Sequence, residues 1–97
     1  MDLSSVFDIP SHVVAREVMG EVVLLDLGSG QYFGLDPVGA RIWELASEGQ
    51  ALAGVADRIV AEFDVARDVA EADILRLATE LAERDLVRVA AKAGPDG

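Results

Sequence analysis

Val23-Leu24-Leu25-Asp26-Leu27-Gly28-Ser29-Gly30-Gln31-Tyr32-Phe33-Gly34-Leu35-Asp36-Pro37-Val38-Gly39-Ala40-Arg41-Ile42-Trp43-Glu44-Leu45 changes its hydrophobic period halfway along. In the first half, apolar side chains alternate. Val23, Leu25 and Leu27 fall on one face of an extended chain, with Val22, Leu24 and Asp26 on the other. Gly28-Ser29-Gly30 breaks the alternation with two residues able to take positive φ, which reads as a tight turn. Residues 31–35 then read as a further short strand. At Asp36-Pro37 the texture changes. An aspartate can cap a helix with its carboxylate, and proline suits the first helical position because its missing N–H would have had no partner there. Val38, Ile42, Leu45 and Ala46 follow at helical spacing with Trp43 beside them, and Gly49 stops the helix.

Upstream, residues 12–18 carry Val13, Val14 and Val18 and read as a strand, joined through a Met19-Gly20 turn to the strand at 21–27. Strands one tight turn apart make an antiparallel meander. Downstream, a second helix is expected over 52–63, with Val55, Ile59, Val60 and Phe63 inward. A third is expected over 68–84, with an apolar stripe of Val69, Ala72, Ile74, Leu75, Leu77, Ala78, Leu81 and Ala82. That stripe is wide enough to touch more than one neighbour. Glu80 and Arg84 form an acid-then-base pair at i, i+4 that supports the exposed side. Residues 86–89 read either as a short closing strand or as an extended tail. The expected fold class is α+β of the winged helix-turn-helix kind: a three-stranded antiparallel sheet followed by three helices. The domain is expected over 12–89, between a flexible N-terminus (1–11) and a flexible C-terminal tail (90–97).

Ninety-seven residues make one domain, and 52% hydrophobic residues supply a modest core. There is no cysteine, which removes disulfides, thiolate metal sites and cysteine nucleophiles. Residues 22–25 are the longest wholly apolar run, far short of a membrane span, and residues 1–10 lack the basic and apolar regions of a signal peptide. The expectation is a soluble cytoplasmic protein without a membrane partner. The balance of 8 basic against 18 acidic residues gives a formal net charge of -10, which repels phosphate backbones and disfavours nucleic acid. The lone histidine, His12, has no second metal ligand at useful spacing, and no nucleophile or phosphate-binding motif is present. Gly28-Ser29-Gly30 leads into a strand and not a helix, so it lacks the geometry of a phosphate cradle. No enzyme, metal or cofactor is expected; a pair of carboxylates is the one catalytic alternative left open.

The opening stretch, together with Glu71-Ala72-Asp73-Ile74-Leu75, Leu81 and Glu83-Arg84-Asp85-Leu86-Val87, resembles the PqqD family and the related recognition elements of ribosomally made peptide natural products. The resemblance covers about residues 12–88. The string from Tyr32 to Leu45 is most similar to the stand-alone leader-binding proteins of lasso-peptide pathways. Departures concern helix ends. Ala51 stands where a Ser or Thr often opens the second helix, Ala66-Arg67 where Asp-Pro often opens the third, and Asp85 replaces a frequent Gly. Asp64 or Asp68 is the expected substitute cap for the third helix. Each missing cap costs about 1 kcal/mol.

The resemblance implies a non-catalytic module that holds the leader segment of a precursor peptide and presents it to a separate cysteine peptidase. Physical reasoning places the peptide at the edge of the meander. If residues 31–35 form an edge, their outward N–H and C=O groups lack partners and can take a further strand. Gly34 leaves space for close backbone approach. The family's third helix forms the other wall of the groove. The expected site is therefore Gln31, Tyr32, Phe33, Gly34 and Leu35 on the strand, with Asp73, Arg76, Leu77 and Glu80 on the helix. Several of these have blander readings. Phe33, Leu35 and Leu77 could be core, Tyr32 could cover the sheet, Asp73 could simply pair with Arg76, and Trp43 reads as a core anchor. A winged-helix nucleic-acid binder is the main alternative, but Asp68, Glu71, Asp73, Glu80 and Glu83 outnumber Arg76 and Arg84 on the helix that would read DNA. A structural subunit pairing through its edge is the other. The expected state is a monomer or weak dimer.

Overall fold

The computed structural model describes residues 2–91. The elements are β1 (Ser5–Asp8), β2 (Val13–Val18), β3 (Glu21–Asp26), β4 (Tyr32–Leu35), α1 (Pro37–Ser47), α2 (Leu52–Phe63), α3 (Arg67–Glu83) and β5 (Arg88–Ala91). Strands β2, β3 and β4 form an antiparallel sheet in that order, and the three helices follow it, as the change of period predicts. Met19 (φ 54) and Gly20 (φ 83) both adopt left-handed backbone, the requirement of the tight turn whose twist matches its flanking strands. The second hairpin is tied by Asp26. Its Oδ1 accepts the N–H groups of Gly28 (2.8 Å) and Ser29 (3.2 Å). Desolvation would raise this carboxyl, but the N–H bonds from Ser29 and Gly28 prevail and hold it below the ordinary aspartate value. The turn fixes the register, with Leu24 opposite Phe33 and Val22 opposite Leu35.

Helix α1 begins as its sequence dictates. Asp36 is the N-cap and its Oδ1 accepts the Gly39 N–H at 2.7 Å, with proline inside the first turn. A Cβ on Gly39 would stand 3.1 Å from that oxygen, so the close cap favours glycine there. Asp36→Ala is expected to cost about 1 kcal/mol, read as a lowered urea midpoint with an unchanged slope.

The other two helices lack side-chain caps, and their N-caps are Ala51 and Ala66. The expectation that Asp64 or Asp68 caps α3 is corrected. Asp64 is the C-cap of α2 in left-handed backbone, while Asp68 lies inside the first turn of α3 and accepts from the adjacent Val69 N–H. For α2 the deficit is partly made good by main chain: the Ala53 N–H donates to the Leu3 carbonyl at 2.8 Å. Ion pairs hold the helix faces in register. Arg41 grips Glu62 with two bonds of 2.8 and 3.0 Å, Arg58 joins it, and Arg67 bridges Asp57 and Glu71. The Arg41 hydrogen bond holds the Glu62 carboxyl below its usual range. These are surface contacts that orient more than they stabilise.

Where a flexible segment over 1–11 was expected, residues 5–8 form a strand. β1 pairs antiparallel with β5, so that Phe7 faces Val89 and Asp8 faces Arg88. Ser5 and Phe7 are buried, and Phe7 packs against Trp43 with ring centroids 6.3 Å apart. The chain after α3 is thus a closing strand, and the expected boundary at residue 89 falls inside it; residues 92–97 of the expected tail lie outside the described residues. The core gathers Leu24 and Leu35 from the sheet, Ile42, Trp43 and Leu45 from α1, Leu52, Val55 and Ile59 from α2, and Ile74, Ala78 and Leu81 from α3. On α3 the buried line is Ala70, Ile74, Ala78 and Leu81; Val69 and Ala72 of the expected stripe face outward.

Candidate functional site

β4 is an edge strand, and the bonding pattern shows which of its groups are free for a neighbour. The Asp26 N–H donates to the Gln31 carbonyl at 2.8 Å, and on the other side of β3 the Leu27 N–H donates to the His12 carbonyl at 2.7 Å. Main-chain groups of an antiparallel strand alternate between its two neighbours. In the observed register, Phe33 and Leu35 therefore bond inward to Leu24 and Val22, while the main-chain groups of Tyr32 and Gly34 point away from the sheet. The side chains divide differently. Leu35 is buried in the core, Phe33 is half-buried at its margin, and Tyr32 is 76% exposed on the outer face.

Beside this edge lies a cleft of about 240 Å³. Phe33, Gly34 and Leu35 line one wall and Asp73, Arg76 and Leu77 of α3 the other, so six of the nine expected site residues share one concavity. The start of α1 closes its end with Asp36, Val38, Gly39 and Ile42, a wall the sequence reading missed. Leu77 is half-buried, packed against the core and facing the cleft together. Asp73 and Arg76 pair at 3.2 Å and leave a neutral, polar rim. An added Cβ on Gly34 would meet nothing within 4 Å, so the approach to the strand is open.

The remaining expected residues lie further along. Gln31 and Tyr32 border a small cavity of about 10 Å³ with Asp26, Phe33, Arg84 and Leu86. Glu80 is in a neighbouring depression along α3 with Arg76, Thr79, Glu83 and Arg84. Phe33 stands between the cleft and the small cavity, and the Arg84 guanidinium carbon sits 5.0 Å from the centre of its ring. Trp43 is in the core, away from the groove wall. Among the described residues, no group of three or more His, Asp or Glu side chains is placed to hold a metal ion, and no helix is long and apolar enough to cross a membrane. A cleft of mixed apolar and polar lining, with outward main-chain groups on one side and a mixed-charge helix on the other, suits an extended peptide.

The sequence model of coenzyme PQQ synthesis protein D (PqqD) matches residues 21–87. No curated protein matches the sequence. Two solved structures are similar over 84% of this chain. "TbiB1 in Complex with the TbiA(beta) Leader Peptide" is 42% identical, with 94% of that chain covered and a TM-score of 0.77. "Lasso peptide synthetase B1 complexed with the leader peptide" is 32% identical, with 96% covered and a TM-score of 0.80.

Proposed function

This chain belongs to the PqqD family, and from that membership and the geometry of the β4 groove we propose that it binds the leader segment of a ribosomally made precursor peptide, of lasso type, without catalysing a reaction. The observation that carries the reading is the pairing of outward main-chain groups at Tyr32 and Gly34 with the cleft against α3, whose lining joins Phe33, Leu35 and Leu77 to Asp73 and Arg76. The leader adds as a strand beside β4, where main-chain bonds give affinity for almost any sequence. Selectivity comes from its side chains: alternate ones point toward the cleft between Phe33, Leu35 and Leu77, and polar ones meet Asp73, Arg76 or Glu80 at the rim. Two similar proteins were solved with leader peptides bound, which supports this assignment. The bound leader is then presented to a separate cysteine peptidase, and the chain acts in the cytoplasm.

The test is a titration followed by fluorescence anisotropy, using the labelled leader of the precursor encoded beside this chain's gene. Saturable binding is expected, weakened several-fold by Asp73→Ala or Tyr32→Ala in proteins that still unfold cooperatively. Binding indifferent to both substitutions would move the site elsewhere. An absence of binding at high micromolar protein would overturn leader recognition, and concentration-dependent dimers would then favour self-pairing through β4.

A further inference from the structure

Two arginines border the groove, Arg76 and Arg84, and they are differently engaged. Arg76 donates to the Asp73 carboxylate at 3.2 Å. The Arg84 guanidinium lies over the Phe33 ring, and its nearest carboxylate oxygen, on Glu80, is 3.9 Å away, too long for a hydrogen bond. Arg84 thus packs against the ring and borders both the small cavity at Gln31 and Tyr32 and the depression along α3, and its guanidinium N–H groups are a rigid fork matched to a carboxylate.

The base of this side chain is held in place. Arg84 is the C-cap of α3 and its N–H donates to the Glu80 carbonyl, where the helix end favours a cation. Asp85 follows in left-handed backbone (φ 59), and His12 Nε2 lies 3.1 Å from its carbonyl. The surroundings make this position distinctive. A chain of net charge -10 repels peptide carboxylates generally; Arg76 is hydrogen-bonded to Asp73, whereas Arg84 holds Glu80 only at the longer 3.9 Å.

We propose that Arg84 is a specificity-determining residue, which takes a carboxylate-bearing side chain of the bound leader at the Gln31 end of β4, using the Phe33 ring as its platform. The proposal rests on the leader-binding reading. An acidic leader residue is accepted at this point and disfavoured along the rest of the groove, so Arg84 also helps to set the register in which the peptide adds to the strand.

The experiment uses two series of the leader encoded beside this chain's gene, each position being replaced in turn by Glu or by Gln. Both are titrated against the wild type, Arg84→Gln and Arg84→Glu, with thermal unfolding confirming that each variant folds. On the wild type, one position or two near neighbours should bind about tenfold more tightly as Glu than as Gln, the scale of one hydrogen bond between charged groups. Arg84→Gln should abolish that preference, and Arg84→Glu should reverse it, so that Gln binds more tightly than Glu at the same position. If Arg84→Gln weakened every peptide equally, or left the whole profile unchanged while the wild type still bound, the specificity role would be overturned and leader binding would stand. Failure of the wild type to bind any peptide in the series would remove both.

Discussion

Replacing Phe7 with alanine is expected to lower the unfolding free energy by about 3–5 kcal/mol, the usual cost of deleting a buried aromatic side chain. A domain of ordinary stability has only about 5–15 kcal/mol in total, so this one change removes a large part of it. The reason lies in where the residue sits. Phe7 is 6% exposed and packs against Trp43 at a tilt of 55°, while its strand pairs with β5. The segment before it is fastened as well: the buried Ser5 accepts from the Asp2 N–H through its Oγ, and the Leu3 carbonyl takes the Ala53 N–H at the start of α2. Urea denaturation followed by the fluorescence of Trp43, the single tryptophan, reads the effect at the contact itself. Phe7→Leu should recover most of the loss. A change below about 1 kcal/mol in Phe7→Ala, the range of surface substitutions and small core changes, would mean that the β1–β5 ribbon is not coupled to the core.

Gly34→Pro should separate peptide binding from folding. The Gly34 N–H points away from β3, and edge strands tolerate proline where the N–H faces outward. The bonds of β4 to the sheet belong to Phe33 and Leu35 and remain. The leader, however, loses a donor and is left with a carbonyl lacking its partner. That costs about 1–3 kcal/mol, or roughly a fivefold to 150-fold loss of affinity. Gly34→Ala is the control, since it keeps the N–H and its Cβ meets nothing within 4 Å. Anisotropy titrations of the two variants should differ by at least about fivefold. Equal affinities would show that the leader does not bond to this N–H.

Local chemistry made the meander and α1 readable. Alternation over 21–27, the turn residues at 19–20 and 28–30, and Asp36-Pro37 each specify their conformation within a few residues. The β1–β5 pairing had no such signal. Ser-Val-Phe-Asp is too short to show a period, and its partner lies at the far end of the chain, so only tertiary structure brings the two together. The third helix was readable in extent but not in orientation, because alanine is at home both in cores and on surfaces. Ala70 and Ala78 are buried while Ala72 is exposed, and packing against α1 and α2 decides which.

The groove shows the same division. Strand geometry put Phe33 and Leu35 on one face, whereas α3 was expected as the second wall only because the family resemblance implied it; Asp73, Arg76 and Leu77 line one cleft with the strand. Glu80 was grouped with Asp73 because seven residues return a helix to the same side. Seven residues also advance it by about 10 Å, which carries Glu80 past the cleft into the next depression. Arg84 was read as half of a surface ion pair; the sequence had no means of showing that its guanidinium reaches across to Phe33.

The central claim is strand addition at β4, and amide hydrogen exchange followed residue by residue by NMR tests it most directly. In the free protein, the amides of Phe33 and Leu35 should already be protected by β3, and those of Tyr32 and Gly34 should exchange quickly. Saturation with the leader should slow Tyr32 and Gly34 and leave the other two nearly unchanged. If Tyr32 and Gly34 exchanged as quickly with the leader bound as without it, the peptide would not be adding to this edge.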